Sequence, residues 1–390
     1  MSFPDFAWSC GEEASDPVVL HDGARVRVDE LAMSRHLEEQ ERDLAAVAAL
    51  GVRVWRYGMP WRRVETSPGV FDWSLWDRAL DACARHGLEP VVDLCHFGLP
   101  DHYAGFCDAA WVEGFVRYVE AFLARYPGPR WFTPVNEPYF TAAASALFGI
   151  WNDRRRSPRD FADALCHVVL ANLEANARIR ADRDGWWVGA EGFSCPVAAS
   201  AEHEAEAERL RGLAWAVWDL HFGLPLSPVV ARDFEAVAPT TRERIDKLAT
   251  KANAIAGHDF YPVSIVPVGG ALEGWSIEQR LDAYEVAARA WHARYGVDFW
   301  VAETSNLGLP VAQQEDWLAA FASRLSRMRA ARLPVRGLCW YSRGDQYDWD
   351  SALTAPVGHV TEVGLFAADR TPRPVAALFR RLAAGAPQPR

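Results

Sequence analysis

One phrase recurs along the chain and restricts its fold more than any other feature. An amphipathic helical stretch meets a Gly where the helix must stop, and a short β-branched and aromatic run follows that ends in polar residues. The phrase reads as helix, C-cap, strand. Gly51 precedes VRVWRYG, Gly87 precedes LEPVVDLCH, Gly128 precedes PRWFTPVNE, Gly185 precedes WWVGAEG and Gly296 precedes VDFWVAE. ANAIAGHDFYP, after a helix at 240–252, and LPVRGLCWYS, after a helix at 312–332, continue the series, and FPDFAWS at the start makes eight strands. Helix starts are signalled by Ser74 with Asp77, by Ser157 with Pro158 and Asp160, and by Ser276 with Gln279.

Eight strands alternating with helices, without long polar linkers, predict an α/β chain folded as a single (β/α)8 TIM barrel over residues 1–390. A doubly wound sheet is disfavoured, because no Gly-rich phosphate loop follows any strand and polar residues close nearly every run. HFGLP occurs at 96–100 and again at 221–225. The first copy ends a strand and the second ends a helical run, so a duplicated half-barrel is not inferred.

Composition narrows the function. With 41 Lys and Arg against 52 Asp and Glu, the formal charge is -11, which makes nucleic acid an unsuitable partner. No run approaches the roughly 18 apolar residues of a membrane helix, and MSFPDFAWSC has neither a basic start nor an apolar signal core, so a cytoplasmic, soluble protein is expected. The seven Cys are scattered without a CxxC pair and are expected as buried thiols. There is no HxH or HExxH, and His96 and His102 lack a third ligand at fixed spacing, so neither a metal nor another cofactor is inferred. The sequence leaves the oligomeric state open.

In a barrel the C-terminal strand ends converge on one pocket, so the residues closing each run are read together. Glu137 closes the fourth strand inside TPVNEP and Glu303 closes the seventh inside WVAET. Those strands lie nearly opposite in an eight-stranded ring, so the carboxyls face each other, as glycoside cleavage requires. Glu191 is read as structural.

These residues carry a resemblance to the family 1 glycoside hydrolases. Asn136-Glu137-Pro138 matches that family's acid/base motif. RYGMPWRRV resembles its second-strand motif and sets Arg56 beside the nucleophile, and VVDLCHFGLP resembles its third-strand motif and sets His96 on a sugar-binding position. GHDFYP places Tyr261 on the nucleophile-contacting Tyr, and WYSRGDQYDW followed by EVGLFAADRTPRP places Trp340, Asp348 and Trp349 on sugar-contacting positions. The resemblance implies a retaining β-glycosidase, with Glu303 as nucleophile, Glu137 as acid/base, a glycoside as partner and no cofactor.

The chain also departs from the family pattern. Thr304-Ser305 follow Glu303 where Asn-Gly is usual, Phe97-Gly98 replace Trp-Asp, and Asp16 stands near where the family's first strand offers a sugar-binding Gln. Asp259 replaces an Asn and Asp348 a Glu. The cleavage pair is untouched while the sugar-reading set is altered, so glucosides are not expected to be the best substrates. A transglycosidase would use the same residues. A non-catalytic sugar-binding protein is disfavoured, because keeping two facing buried carboxyls is costly.

Overall fold

The computed structural model describes residues 3–385. Eight parallel strands close a barrel, each beside its sequence neighbour: β1 Ala7–Gly11, β2 Val54–Gly58, β3 Glu89–Asp93, β4 Trp131–Thr133, β5 Trp186–Val188, β6 Ala254–Asp259, β7 Phe299–Thr304 and β8 Val335–Trp340, which pairs back to β1. The principal helices outside it are α1 His36–Ala49, α2 Ser74–His86, α3 Ala110–Arg125, α4 Pro158–Arg183, α5 Glu204–Phe222, α6 Pro239–Leu248, α7 Ile277–Tyr295, α8 Gln314–Ala330 and α9 Pro374–Gly385. This is the (β/α)8 barrel expected, and every expected strand lies in its wall. No helix among the described residues is long and apolar enough to cross a membrane.

Strand alternation divides the core into two layers. Val54, Val91, Trp131, Ile255, Trp300 and Cys339 point into the barrel, while Trp55, Tyr57, Val92, Phe299 and Leu338 pack outward against the helices. Phe3 meets Trp131 and Trp300 edge-on, at 5.1 and 5.5 Å between ring centroids, and fills the end where the strands begin. Such pairs add about 0.5–1.5 kcal/mol each beyond the area they bury. With that end filled by aromatic rings, polar side chains inside the barrel gather at the opposite, C-terminal end.

Local signals differ from expectation in places. Ser157 caps α4 and Ser276 forms a full capping box with Gln279. Ser74, however, is the first residue of α2, and its N–H donates to Asp72 at 2.9 Å, so Asp72 closes that end. Gly87 and Gly296 take the left-handed cap conformation. At the end of α4 the left-handed residue is Asp184, with φ 52°. Gly185 is needed for space, since a Cβ there would lie 2.6 Å from Ile179 Cγ2. α3 stops at Arg125 because Pro127 cannot continue it, and Gly128 is not left-handed. All seven Cys are unpaired; six are buried and Cys107 is half-buried.

Candidate active site

The pocket at the C-terminal end grows directly out of strand alternation. Two residues beyond inward-facing Val54 and Val91 stand Arg56 and Asp93 on the same faces. Arg56 is 1% exposed. It donates to Glu303 Oε1, to Asp93 Oδ2 at 2.7 Å and to Asn136 Oδ1 at 2.6 Å. Burial opposes its charge, but Glu303 and Asp93 outweigh that and raise its pKa well above the ordinary guanidinium value. Asn136 in turn donates to His96 Nε2 at 3.0 Å, and His96 Nδ1 donates to Asp93 at 2.8 Å. Arg56, Asp93, His96 and Asn136 therefore form a closed ring that fixes all four side chains.

Glu303 reaches the pocket through an irregularity. Trp300 and Ala302 face the barrel interior, so strict alternation would turn Glu303 outward. Between Trp300 and Glu303 the chain spans one residue more than its partner β6 does between Gly257 and Asp259. The ladder with β8 shifts over the same stretch, as Val301 pairs with Leu338 but Thr304 with Trp340. This extra residue is a bulge that re-aims the carboxyl inward. Thr304 then faces the helices, where its hydroxyl accepts from Trp317 Nε1 at 3.0 Å. Tyr261 O–H donates to Glu303 Oε2 at 2.6 Å, so both oxygens of Glu303 are held, one by a cation and one by a phenol. Burial and the adjacent Glu303 push the Tyr261 phenol well above its usual pKa, which keeps its proton available for that bond.

Glu137 follows Asn136 in the left-handed conformation, φ 39°, and its N–H donates to Ala190 O at 3.0 Å. Its carboxyl faces Gly192, where an added Cβ would lie 3.3 Å from Oε1. Burial, then negative Glu303 and Glu191, push that carboxyl well above the usual carboxylate range. One carboxylate oxygen from each of Glu137, Asp259 and Glu303 lies within 4.8 Å of the other two. The trio supplies only three of the six or more oxygens a hard divalent cation takes, and Arg56 already holds one of its members.

Of the residues singled out in sequence, Glu137, Glu303, His96, Tyr261 and Trp349 line this pocket, and Arg56 and Asn136 stand directly behind it. Three others lie elsewhere. Asp16 is not at the pocket: Arg62 Nε donates to both its oxygens at 2.9 Å, and it packs under Gly98. Trp340 belongs to the outer core, with its Nε1 donating to Val363 O, because inward Cys339 forces the next residue outward. Asp348, at φ 55°, accepts from the N–H groups of Gly358 and His359 and so fastens its own loop.

The sequence reading passed over Glu13 and Gln346, which both line the pocket and bond to each other at 3.0 Å. It also passed over Asp93, although Asp93 shares the inward face of Val91 and was therefore readable. Glu191, read as structural, is buried with Oε2 accepting from Tyr139 N–H at 3.0 Å.

Comparison with known proteins agrees with the barrel fold and gives the family. The model of the family described as Glycosyl hydrolase family 1 matches residues 24–222, just over half of the 390 residues. An aryl-phospho-beta-D-glucosidase, BglA, of Bacillus subtilis is 33% identical over 95 residues, 22% of this chain and 20% of that protein. A benzoxazinyl glucoside beta-D-glucosidase of Triticum aestivum is 24% identical over 273 residues, 61% and 46% of the two chains. The matched stretches thus span from about a fifth to about half of these relatives' length. In fold, a beta-glucosidase from Thermotoga maritima superposes with a TM-score of 0.80 over 98% of both chains at 16% identity. A beta-glucosidase from Exiguobacterium marinum does so with the same score and identity over all of both chains.

Proposed function

Since the chain belongs to glycosyl hydrolase family 1, we propose that it is a retaining β-glycosidase working through a covalent glycosyl-enzyme intermediate. The observation that carries this reading is the proximity of Glu137 and Glu303, whose nearest oxygens are no more than 4.8 Å apart. Inverting enzymes hold their carboxyls about 6.5–9.5 Å apart to admit a water, and retaining enzymes about 5–5.5 Å, so the short spacing favours direct attack.

The electrostatics divide the two roles. Glu303, paired with Arg56 and Tyr261, suits the ionised nucleophile that attacks the anomeric carbon. Glu137, half-buried beside Glu303 and without a cation of its own among the described residues, suits the acid that first protonates the departing oxygen. Once the glycosyl ester has formed, Glu303 no longer carries charge. Glu137 can then ionise more easily and take a proton from the water that cleaves the ester. Trp349, backed by Phe97, offers an apolar face along the pocket wall for a sugar ring.

A panel of chromogenic β-glycosides tests the reading. Wild type is expected to release the chromophore from at least one sugar, and Glu303→Ala from none. Glu137→Ala is expected to retain cleavage of dinitrophenyl glycosides, whose leaving group departs unprotonated, and to lose alkyl glycosides. Equal loss of both substrate types in Glu137→Ala would remove the acid role.

A further inference from the structure

Asp259 lines the pocket, yet the reaction scheme leaves it unused. It stands level with Glu303 across the β6–β7 ladder and is 1% exposed, and neither of its oxygens has a hydrogen-bond partner in the protein. Of the other acids at the pocket, Glu137 is also without a hydrogen-bond partner on its carboxyl, but it has the acid/base role to fill, and the remaining two are held. Glu303 is held by Arg56 and Tyr261, and Glu13 accepts from Ser15 N–H and Gln346. A buried carboxyl with both oxygens free is expensive to keep, so a partner that arrives with the substrate is the economical explanation.

Position limits what that partner can be. An oxygen of Asp259 lies within 4.8 Å of one on Glu137 and one on Glu303. If Glu303 attacks the anomeric carbon and Glu137 protonates the oxygen on it, the substrate atoms near Asp259 are those carried by the anomeric carbon and its neighbours. The ring oxygen and the glycosidic oxygen bear no hydrogen. The substituent on carbon 2 does, and a carboxylate can only accept.

Burial and then Glu303 and Glu137 push Asp259 well above the usual carboxylate range, against the opposing pull of Arg56 and with Glu191 adding to the push. Its charge is therefore costly until a cation joins the cluster. A neutral hydroxyl arriving beside it changes that little. A protonated amine brings a cation to a cluster of three acids in which Arg56 serves only Glu303, and so lets Asp259 accept charge-assisted N–H bonds. We propose, on the basis of the glycosidase reading above, that Asp259 reads the substituent at carbon 2 and that the pocket prefers β-glycosides of 2-amino-2-deoxy sugars over their 2-hydroxy counterparts.

The test uses 4-nitrophenyl β-glycosides in matched gluco and galacto pairs bearing hydroxyl, amino or acetamido at carbon 2, near pH ~6 so that the amine is charged. Wild type is expected to show kcat/KM at least about tenfold higher for the amino than for the hydroxyl member of one pair. In Asp259→Asn, which keeps the shape, that ratio is expected to fall by about tenfold or more. A wild-type ratio at or below one overturns the proposal without any variant, and so does a ratio that Asp259→Asn leaves unchanged. If hydroxyl glycosides are cleaved in a Glu303-dependent way while the ratio fails, only this proposal falls. If no member of the panel is cleaved, the glycosidase reading falls with it.

Discussion

Replacing Arg56 by Met separates nucleophile activation from sugar binding. The guanidinium serves three acceptors, Glu303, Asp93 and Asn136, and the thioether of Met fills much of its volume while donating to none of them. Asp93 keeps its bond from His96, but Glu303 retains only Tyr261 and Asn136 Oδ1 loses its donor. Removing one partner of a buried ion pair costs about 3–5 kcal/mol. Over 390 residues an unfolding entropy of ~2.1 cal/mol/K per residue gives about 0.8 kcal/mol/K, so the melting temperature should drop by about 4–6 °C. In catalysis the lost donor resembles the loss of one preorganised transition-state contact, about 10²–10³ in kcat. Calorimetry measures the first effect, and stopped-flow release of dinitrophenolate from the best β-glycoside measures the second. Arg62→Met is the control, since Arg62 serves Asp16 and Asp29 away from the pocket and should cost stability without slowing glycosylation. A raised KM with an unchanged kcat in Arg56→Met would show that Arg56 binds sugar, and the assignment to the nucleophile would be wrong.

Other outcomes follow from the same geometry. Because Glu137 must be protonated to act and its carboxyl is pushed up, kcat/KM should fall on the alkaline side well above the ordinary Glu value of ~4.3, and Glu137→Ala assayed with dinitrophenyl glycosides should lose that limb. Glu13→Gln should raise KM. Asp16→Asn should leave KM alone and lower stability by about 1–3 kcal/mol through its unpaired arginines, as denaturant titration would reveal. Glu137, Glu191 and Asp259 all have raised folded values, so the native state binds more protons than the unfolded one. Their stabilisation is fully present below the unfolded carboxyl range near ~4 and is lost as pH rises through the folded values, by up to ~1.4 kcal/mol per pH unit for each titrating group. Urea titrations between about pH 5 and 8 should show that decline, and Asp259→Asn should flatten it; a slope equal to wild type would contradict the raised value. Azide added to Glu303→Ala should give a glycosyl azide of inverted configuration and to Glu137→Ala one of retained configuration, read by NMR.

The barrel was legible because each strand carries its own punctuation, and Glu137 because Asn136 and Pro138 mark a strand end on either side of it. What sequence could not resolve depends on which way a side chain turns. The stretch from Glu12 to Asp16 holds three acids beyond β1. The structure gives Glu12 to Arg343, Asp16 to Arg62 and only Glu13 to the pocket. That choice is made by arginines far away in the chain. Trp340 illustrates a reading error of parity, since alternation from Cys339 turns it outward. Glu303 illustrates the opposite case: a bulge that no local signal announced restores the inward aim that alternation would deny.

Retention by direct attack is the central claim, and the configuration of the first product tests it most directly. Wild-type protein is mixed with its best β-glycoside, and the anomeric proton of the released sugar is followed by NMR before mutarotation. The β-anomer is expected to appear first and to convert slowly to the equilibrium mixture. If the α-anomer appears first, a water rather than Glu303 reached the anomeric carbon, and the double-displacement account is contradicted.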